Sequence, residues 1–485
     1  MIINKRNIIT LTVLLLVSCA IFISFLNMHY ATDTYNIIER GYAEYAIKYS
    51  LNDGRIFMCA ITLIAEFINL PISIYIIVLT FFAIVTSCIA IMYLKNVIQK
   101  FKNPKNLFEE LVLIIICFTI IFNFMYLENM QFAECFVMAI SILLFLIAAD
   151  ILTQKEKNYI LKSMFLTVLG ILFYQGTLGF FVVMTFVFSI IKQDKKVLKN
   201  LFLCGVICLI AVAVNLFQIK ICGMLFGMSQ KRFGKLSKIF DMLKLIKNNL
   251  KGFLVNTIKI YPKYMFIGFF ATVTIITNIY LIKKAKKWNL YIILLAIISL
   301  CTSFAINLFT VAGLGSARML FPLGALVGNM FLLIYTNTDI FQNKKYFMSG
   351  ILLIYCLSIV INYAYIIWEH TKVEELTKQE CKIIEGYMAK YEKESGIKVT
   401  KIAVYNDTKP TYFYKNVKNL SALCVRPLSV EWGDNGSINY WNYRKLKEIK
   451  PDKGIEETYF KEKNWNSLDK EQFVFIDDVM HYCVY

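Results

Sequence analysis

Histidine is scarce in this sequence, and a common nucleotide-binding motif is missing. The three histidines, His29, His370 and His481, lie far apart along the chain, which argues against a histidine-rich metal site. No G-x-x-x-x-G-K-[ST] run is present, so the sequence predicts no phosphate-binding loop for ATP or GTP. Any transfer chemistry would have to draw its free energy from the substrate that carries the transferred group.

Cysteine is present but forms no recognisable site. The thirteen cysteines are scattered, mostly within apolar runs, and Cys204 and Cys208 have no histidine near them in sequence. This pattern fits neither a zinc site nor a disulfide framework. Charged residues are also few, at 18%, yet the net charge is +19. Because many lysines stand in short clusters between apolar runs, the charge indicates membrane topology and not a nucleic-acid partner.

Apolar residues dominate the chain, at 58% of 485 residues with a mean hydropathy of +0.58. This composition predicts an all-α polytopic membrane bundle in a lipid bilayer. Keeping the lysine clusters in the cytoplasm gives about eleven transmembrane helices, with a cytoplasmic N-terminus and a retained first span. The predicted spans are 8–27, 72–94, 107–126, 135–151, two within 160–191 that separate at Tyr174-Gln175-Gly176, 200–219, 264–282, 289–310, 319–336 and 347–368.

The predicted transmembrane domain covers residues 1–369 and includes two segments that lie on the outer face of the membrane. The first, at 32–70, contains an apolar run at 56–70 that is too short to cross the bilayer, so we interpret it as a surface or re-entrant helix. That interpretation keeps the next lysine cluster in the cytoplasm. The second, at 221–262, is basic, with apolar residues at helical spacings, and predicts a surface helix that contacts lipid headgroups.

The composition changes after the last predicted span. Residues 370–485 are richer in charged and turn residues than the spans before them. A helical pattern at 372–393 and strand patterns at 399–404 and 473–476 predict a small C-terminal α/β domain. By the span count this domain is extracytoplasmic.

Charged side chains cluster in the predicted outer loops and form the candidate site. They come from three loops and are Asp33, Glu39, Arg40, Glu44, Asp53, Arg55, Glu128, Glu134 and Arg318. A bundle could gather such groups at the mouth of one cavity, and ionisable groups in that position are candidates for function. We interpret Glu39, Glu44 and Asp53 as solvated residues outside the chemistry.

A lipid-phosphate-linked sugar suits such a site because its phosphate is already a leaving group. Asp33 is our candidate for the base that takes the proton of the acceptor hydroxyl. Arg55, Arg318 or a lysine of the basic segment would hold the departing phosphate. The tyrosines within 35–49 would either stack on sugar rings or lie at the membrane interface as belt residues. Tyr35, Arg40 and Gln175 are the candidate substrate contacts.

The order of these features resembles a known enzyme class over residues 1–370. One span, an acidic residue in a long first outer loop, an amphipathic surface helix and a second short helix resemble the GT-C class of polyprenyl-phosphate-sugar-dependent glycosyltransferases. More narrowly, the chain resembles the Gtr-type glucosyltransferases that modify O-antigen and related surface glycans. The motifs that carry this resemblance are DTY at 33–35, GRIF at 54–57, LENMQFAE at 127–134, YQG at 174–176 and GSARML at 315–320.

The resemblance implies a hexosyltransferase in the bacterial plasma membrane. It would take a sugar, glucose in that family, from an undecaprenyl-phosphate carrier on the outer leaflet and transfer it with inversion to a surface glycan acceptor. It implies that Asp33 is the base, that Glu128 or Glu134 assists it, and that Arg318 lies near the phosphate. Many members of the class carry a D-D or D-x-D pair in the first loop. This chain has none there, so no clear motif supports a divalent-metal cofactor.

Three other interpretations remain open. A polysaccharide polymerase or ligase uses the same carriers but has a large outer loop late in the bundle, whereas the large hydrophilic piece here is C-terminal. A flippase or transporter of lipid-linked sugar would carry polar or broken helices at the midplane and internal repeats, which are not evident here. A non-catalytic scaffold would leave the clustered outer charges unexplained.

Overall fold

The computed structural model describes residues 5–27, 29–227, 286–305, 316–406, 425–461, 463 and 470–484. The long apolar runs fold into helices, and a four-stranded sheet forms near the C-terminus. Buried side chains of the helices make one large apolar core, and a second core lies between the sheet and its neighbouring helices. This is the architecture of a helical membrane protein that carries a small C-terminal sheet.

Residues 5–67 form a series of separate helices. They are α1 (Lys5–Ile21), α2 (Ile23–Asn27), α3 (Thr32–Arg40), α4 (Tyr42–Tyr45) and α5 (Ile56–Phe67), with a π-helical stretch at Ala46–Leu51. Gly41 follows α3 and Gly54 precedes α5, each with a φ of +81°. Glycine adopts this left-handed conformation without steric strain, so both positions can break the helical path. The predicted surface segment 32–70 is therefore helical, but in several short pieces.

The remaining described helices follow the apolar runs of the sequence. They are α6 (Ile72–Gln99), α7 (Leu107–Ile121), α8 (Tyr126–Gln131), α9 (Cys135–Gln154), α10 (Tyr159–Phe173), α11 (Gly179–Ile191), α12 (Val197–Leu225), α13 (Lys286–Ala305), α14 (Phe321–Gly324), α15 (Leu326–Thr336), α16 (Thr338–Asn343) and α17 (Lys345–Ser395). A 3-10 turn at Gln175–Thr177 separates α10 from α11. It confirms the break predicted at Tyr174-Gln175-Gly176.

The number of membrane spans is smaller than the sequence pattern predicts. Within the described residues, five helices are long and apolar enough to cross a membrane, and α1 with the bent segment Ile23–Arg40 would make a sixth. The prediction of about eleven spans is therefore wrong for this part of the chain. The physical reason is length, because α7 has 15 residues, α10 has 15 and α11 has 13. A straight crossing needs roughly 20 residues.

Several predicted segments lie outside the described residues. These are residues 228–262 of the basic segment, the predicted span 264–282, the end of the predicted span 289–310, and residues 312–315 of the glycine-rich turn. The described start of the basic segment, Ile221–Leu225, belongs to α12, which begins at Val197. Many apolar side chains of α12 are exposed, among them Phe202 and Phe217, as expected of a helix that faces lipid.

The C-terminal sheet has the strand order β2-β1-β4-β3. Its strands are β1 (Lys401–Asn406), β2 (Lys447–Glu448), β3 (Phe473–Ile476) and β4 (Val479–Val484). β1 pairs in parallel with β2 and β4, and β3 pairs antiparallel with β4. The strand predicted at 473–476 is confirmed, and the one predicted at 399–404 begins two residues later than expected.

One continuous helix joins the two parts of the protein. α17 runs for 51 residues from Lys345 to Ser395 and crosses the predicted domain boundary between residues 369 and 370. Its C-terminal end packs on the sheet, where Ile384 and Met388 share a core with Ile402 and Met480. We call the sheet, the end of α17, residues 425–433 and the helix α18 (Asp434–Asn442) the C-terminal module. The short helix α19 (Lys453–Ile455) belongs to it as well.

The C-terminal module is docked directly onto the helix that carries Asp33. α18 packs against α3, and the backbones are close where Gly436 meets Tyr35. A Cβ added at Gly436 would lie 2.2 Å from the Tyr35 carbonyl oxygen, so only glycine fits there. Nearby, the hydroxyls of Tyr30 and Tyr440 lie 2.8 Å apart in a hydrogen bond. Through these contacts α3 joins the helical bundle to the module.

Candidate functional site

A polar cavity of about 510 Å³ lies at the junction of the bundle and the C-terminal module. Its wall combines α3, α4, the stretch from α4 to α5, the loop between α8 and α9, the turn before α14, and two segments of the module. The lining residues are Thr32, Asp33, Asn36, Arg40, Tyr45, Tyr49, Asp53, Arg55, Phe132, Glu134, Arg318, Val425, Glu431, Trp432 and Glu448. Three of them are arginines and five are aspartates or glutamates, so acidic and basic residues make up about half of the lining.

Arg55 is held in place by two carboxylates. Its Nη1 donates a hydrogen bond to Oε2 of Glu134, and its Nη2 lies 3.6 Å from Oδ2 of Asp53. Burial opposes the charge of this guanidinium, but Glu134 and Asp53 more than offset that effect and raise the pKa of Arg55 above its usual value. The side chain is 10% exposed, and its Nε has no hydrogen-bond partner among the described residues. A fixed, permanently charged donor with unused capacity suits an oxyanion ligand.

The turn that presents Arg55 is fixed by amide side chains from two other helical segments. Gln175 donates from Nε2 to the Asp53 carbonyl oxygen at 2.7 Å, and Asn215 donates from Nδ2 to the Gly54 carbonyl oxygen at 2.9 Å. Asn215 was missed by the sequence interpretation. The sequence feature that could have identified Asn215 is its position: it is an amide in the middle of the apolar run of α12, where a polar side chain needs a hydrogen-bond partner.

Arg318 approaches the same cavity from the turn before α14. Its guanidinium carbon lies 4.2 Å from the centre of the Phe132 ring, and its backbone N–H donates to Oε2 of Glu128. Burial raises the pKa of the Glu128 carboxyl, while Arg318 opposes the shift. Glu128 therefore helps to position Arg318 by accepting this hydrogen bond from its backbone. Glu128 itself lies behind the residues that line the cavity.

Asp33 and Arg40 line the cavity from the two ends of α3. Asp33 is the second residue of the helix, where a carboxylate is favoured by the helix dipole. Arg40, at the last residue, donates from Nε to Oδ1 of Asn36 at 2.8 Å and from Nη1 to Oε1 of Glu44 at 3.2 Å. The helix thus presents the Asp33 carboxylate and the Arg40 guanidinium to the same cavity.

The structure brings together most of the sequence-predicted site residues. Five of them line the cavity: Asp33, Arg40, Arg55, Glu134 and Arg318. The other three lie behind it. Glu128 holds the backbone of Arg318, Gln175 holds the turn at Asp53, and Tyr35 is fully buried with its hydroxyl accepting a hydrogen bond from Trp441.

Two interpretations of individual residues are corrected by the structure. Asp53, taken as solvated, is 6% exposed and pairs with Arg55 on the cavity wall. Of the tyrosines in the segment, Tyr45 and Tyr49 line the cavity and are not interfacial belt residues, and Tyr45 is 3% exposed. The reason is that Glu134 gives the Tyr45 hydroxyl a buried acceptor at 3.3 Å.

Four lining residues come from the C-terminal module and were not predicted from sequence: Val425, Glu431, Trp432 and Glu448. They lie nearly 400 positions from α3 in sequence, so only the docking of α18 brings them to the cavity. Among the described residues, no group of three or more histidine, cysteine, aspartate or glutamate side chains is arranged to hold a metal ion.

No protein-family model and no curated protein matches this chain. The fold and the cavity define the class on their own: a helical membrane protein with an arginine- and carboxylate-lined cavity between its bundle and a C-terminal module.

Proposed function

We propose that the protein is a GT-C-type glycosyltransferase that transfers a hexose, glucose in the family it resembles, from a polyprenyl-phosphate carrier to a surface glycan. The observation that supports this most is the gathering of Asp33, Arg55 and Arg318 on one cavity. Asp33 and Arg55 come from the segment 32–70, and Arg318 comes from a distant part of the sequence. They supply the base and the phosphate-binding cations that the reaction needs.

The two arginines would hold the phosphate of the donor. Arg55 is buried and braced by Glu134 and Asp53, so it loses little conformational freedom on binding. Arg318 lies against Phe132 with its backbone fixed by Glu128. Guanidinium groups in fixed positions stabilise the negative charge that grows on a departing phosphate oxygen, and this stabilisation is larger where water is excluded.

Asp33 would act on the acceptor. In the transfer, the acceptor hydroxyl oxygen forms a bond to the anomeric carbon of the sugar while the bond from that carbon to the phosphate oxygen breaks. The hydroxyl proton passes to the Asp33 carboxylate, and the bonding electron pair leaves with the phosphate toward the arginines. Attack from the face opposite the phosphate inverts the anomeric configuration. No nucleotide is consumed, because the donor carries its own leaving group.

We place the cavity and the C-terminal module on the outer side of the bacterial plasma membrane. Lys5 and Arg6 stand at the start of α1, and the cavity is reached only after the chain has passed along α1 and α2 to Thr32. The positive-inside rule assigns the lysine and arginine end to the cytoplasm. The cavity then opens where undecaprenyl-phosphate sugars and surface glycans meet.

The test is an Asp33→Asn variant assayed in washed membranes with undecaprenyl-phosphate glucose and the surface polysaccharide of a deletion strain. We expect sugar transfer to fall at least about 100-fold, as for loss of a general base, with unchanged protein abundance. Asp477→Asn is the matched control, since Asp477 is exposed in the module and does not line the cavity. Full transfer by Asp33→Asn would exclude Asp33 as the base. A wild-type protein without transfer activity would overturn the proposed function.

A further inference from the structure

We propose that Trp432, Glu431 and Glu448 form a saccharide-binding subsite on the module side of the cavity, and that this subsite receives the acceptor glycan. The assignment to the acceptor rests on the proposed function. The binding of a saccharide at this wall rests on the lining of the cavity alone.

Trp432 is the only tryptophan on the described cavity wall, and it is accessible. The residue is 45% exposed and lines the cavity, whereas Tyr443, which is 96% exposed, does not. An indole ring left open to a polar cavity offers a flat apolar face to a ligand. Sugar rings present flat C–H faces edged by hydroxyls, which fit such a surface.

The two carboxylates supply the polar half of the subsite. Glu431 is exposed beside Trp432, and Glu448 lies on the edge strand β2 of the same wall. Carboxylate oxygens accept hydrogen bonds from pairs of hydroxyl groups, which is the chemistry of an uncharged saccharide. The Glu431 carboxylate repels phosphate, whereas Glu448 is hydrogen-bonded to Glu39 and its pKa is raised to about 7, chiefly by burial. The charged lipid phosphate is therefore directed to Arg55 and Arg318, and the neutral acceptor to the module side.

The backbone places Trp432 close to the proposed base. Residues Pro427–Ser429 form a 3-10 turn, and the Gly433 N–H donates to the Val430 carbonyl oxygen at 2.9 Å. A Cβ at Gly433 would lie 3.6 Å from the carbonyl oxygen of Thr32, the residue before Asp33. Trp432 thus precedes a point of contact between the module and α3. A sugar bound at Trp432 would therefore lie in the cavity that Asp33 also lines.

The experiment measures saccharide binding without the donor. The full-length protein in nanodiscs is titrated with methyl glycosides of glucose, galactose, mannose, rhamnose and N-acetylglucosamine, and binding is followed by saturation-transfer NMR. We expect the wild type to bind at least one of them. We expect Trp432→Ala to weaken that binding by about tenfold and Trp432→Phe to retain most of it, because the aromatic face is what the sugar contacts. Trp368→Ala is the control, since Trp368 is an exposed tryptophan on α17 that does not line the cavity.

A transfer assay then separates the subsite from the proposed function. With both substrates present, Trp432→Ala should raise the KM for the acceptor while the KM for undecaprenyl-phosphate glucose is unchanged. Binding that is equal in wild type and Trp432→Ala, or no glycoside bound by the wild type, would overturn the subsite. Glycoside binding that depends on Trp432 in a protein without transfer activity would overturn the proposed function and leave the saccharide site standing.

Discussion

The indole nitrogen of Trp441 donates a hydrogen bond to the hydroxyl of Tyr35 at 2.9 Å, although 406 positions separate the two residues in sequence. Tyr35 is fully buried, so this bond lies inside the contact between α18 and α3. A parallel contact joins Asn435 to Glu39 at 3.1 Å. The helix that displays Asp33 is therefore positioned by residues from the far end of the chain.

The first prediction concerns the tight approach of α18 to α3. Gly436→Ala should destabilise the protein by about 1–3 kcal/mol, because the new methyl group would overlap the Tyr35 carbonyl oxygen and force the helices apart. Thermal unfolding in detergent measures the change, and protease digestion shows whether the module is released. Gly386→Ala on α17 is the control: no atom lies within 4 Å of its added Cβ, and alanine favours helix. Equal melting temperatures for both variants would contradict the tight contact.

The second prediction concerns a buried ion pair at the other end of the bundle. Lys95, with its side chain 1% exposed, lies 2.7 Å from Glu110, which also pairs with Arg6. Lys95→Met should cost about 3–5 kcal/mol, because it leaves Glu110 buried beside a single, exposed cation. The double variant Lys95→Met/Glu110→Met should regain much of that stability, since Arg6 can return to water.

The control for that pair is Lys390→Met. Lys390 forms an exposed contact with Glu394 at 3.9 Å, so its loss should change stability by less than about 0.5 kcal/mol. Chemical unfolding of these three variants and the wild type under one detergent condition measures the differences in stability. If the two single lysine variants are equally stable, the Lys95 pair has no structural role.

The third prediction is a pH dependence of stability. Burial, helped by the neighbouring Glu448 and Glu39, raises the pKa of Asp434 from 3.8 to about 8. The folded state therefore favours the protonated carboxyl, and this stability is present at low pH and lost as the pH rises from about 4 to about 8. Asp434→Asn should flatten that decline in a series of melting curves from pH 5 to pH 9. Superimposable wild-type and variant curves would show that Asp434 is ionised in the folded protein at all these pH values.

The sequence correctly predicted those structural features that depend on residues close together in the chain. The polar break at Tyr174-Gln175-Gly176 and the strand at 473–476 are confirmed, because turn residues and alternating apolar residues act over a few positions. Asp33, Arg55 and Arg318 meet at one cavity as expected, since charges between apolar runs need a common polar space.

The errors come from interactions between distant residues. The sequence pattern assigns the lysine clusters to the cytoplasmic side, but it does not show that two of their members, Lys95 and Lys192, pair with Glu110 and Asp150 on other helices. The module side of the cavity was missed for a related reason: nothing near Trp432 in sequence indicates that α18 docks on α3.

The 51-residue α17 is one continuous helix, and its length fixes the position of the C-terminal module relative to the helical bundle. At 1.5 Å per residue it would measure about 76 Å, and each residue inserted into it would rotate everything beyond it by about 100°. Inserting or deleting one residue in α17 would therefore shift and rotate the module, and the module would lose its fit to α3. Evolution of this cavity is constrained by the length of a helix as strictly as by the residues that line the cavity.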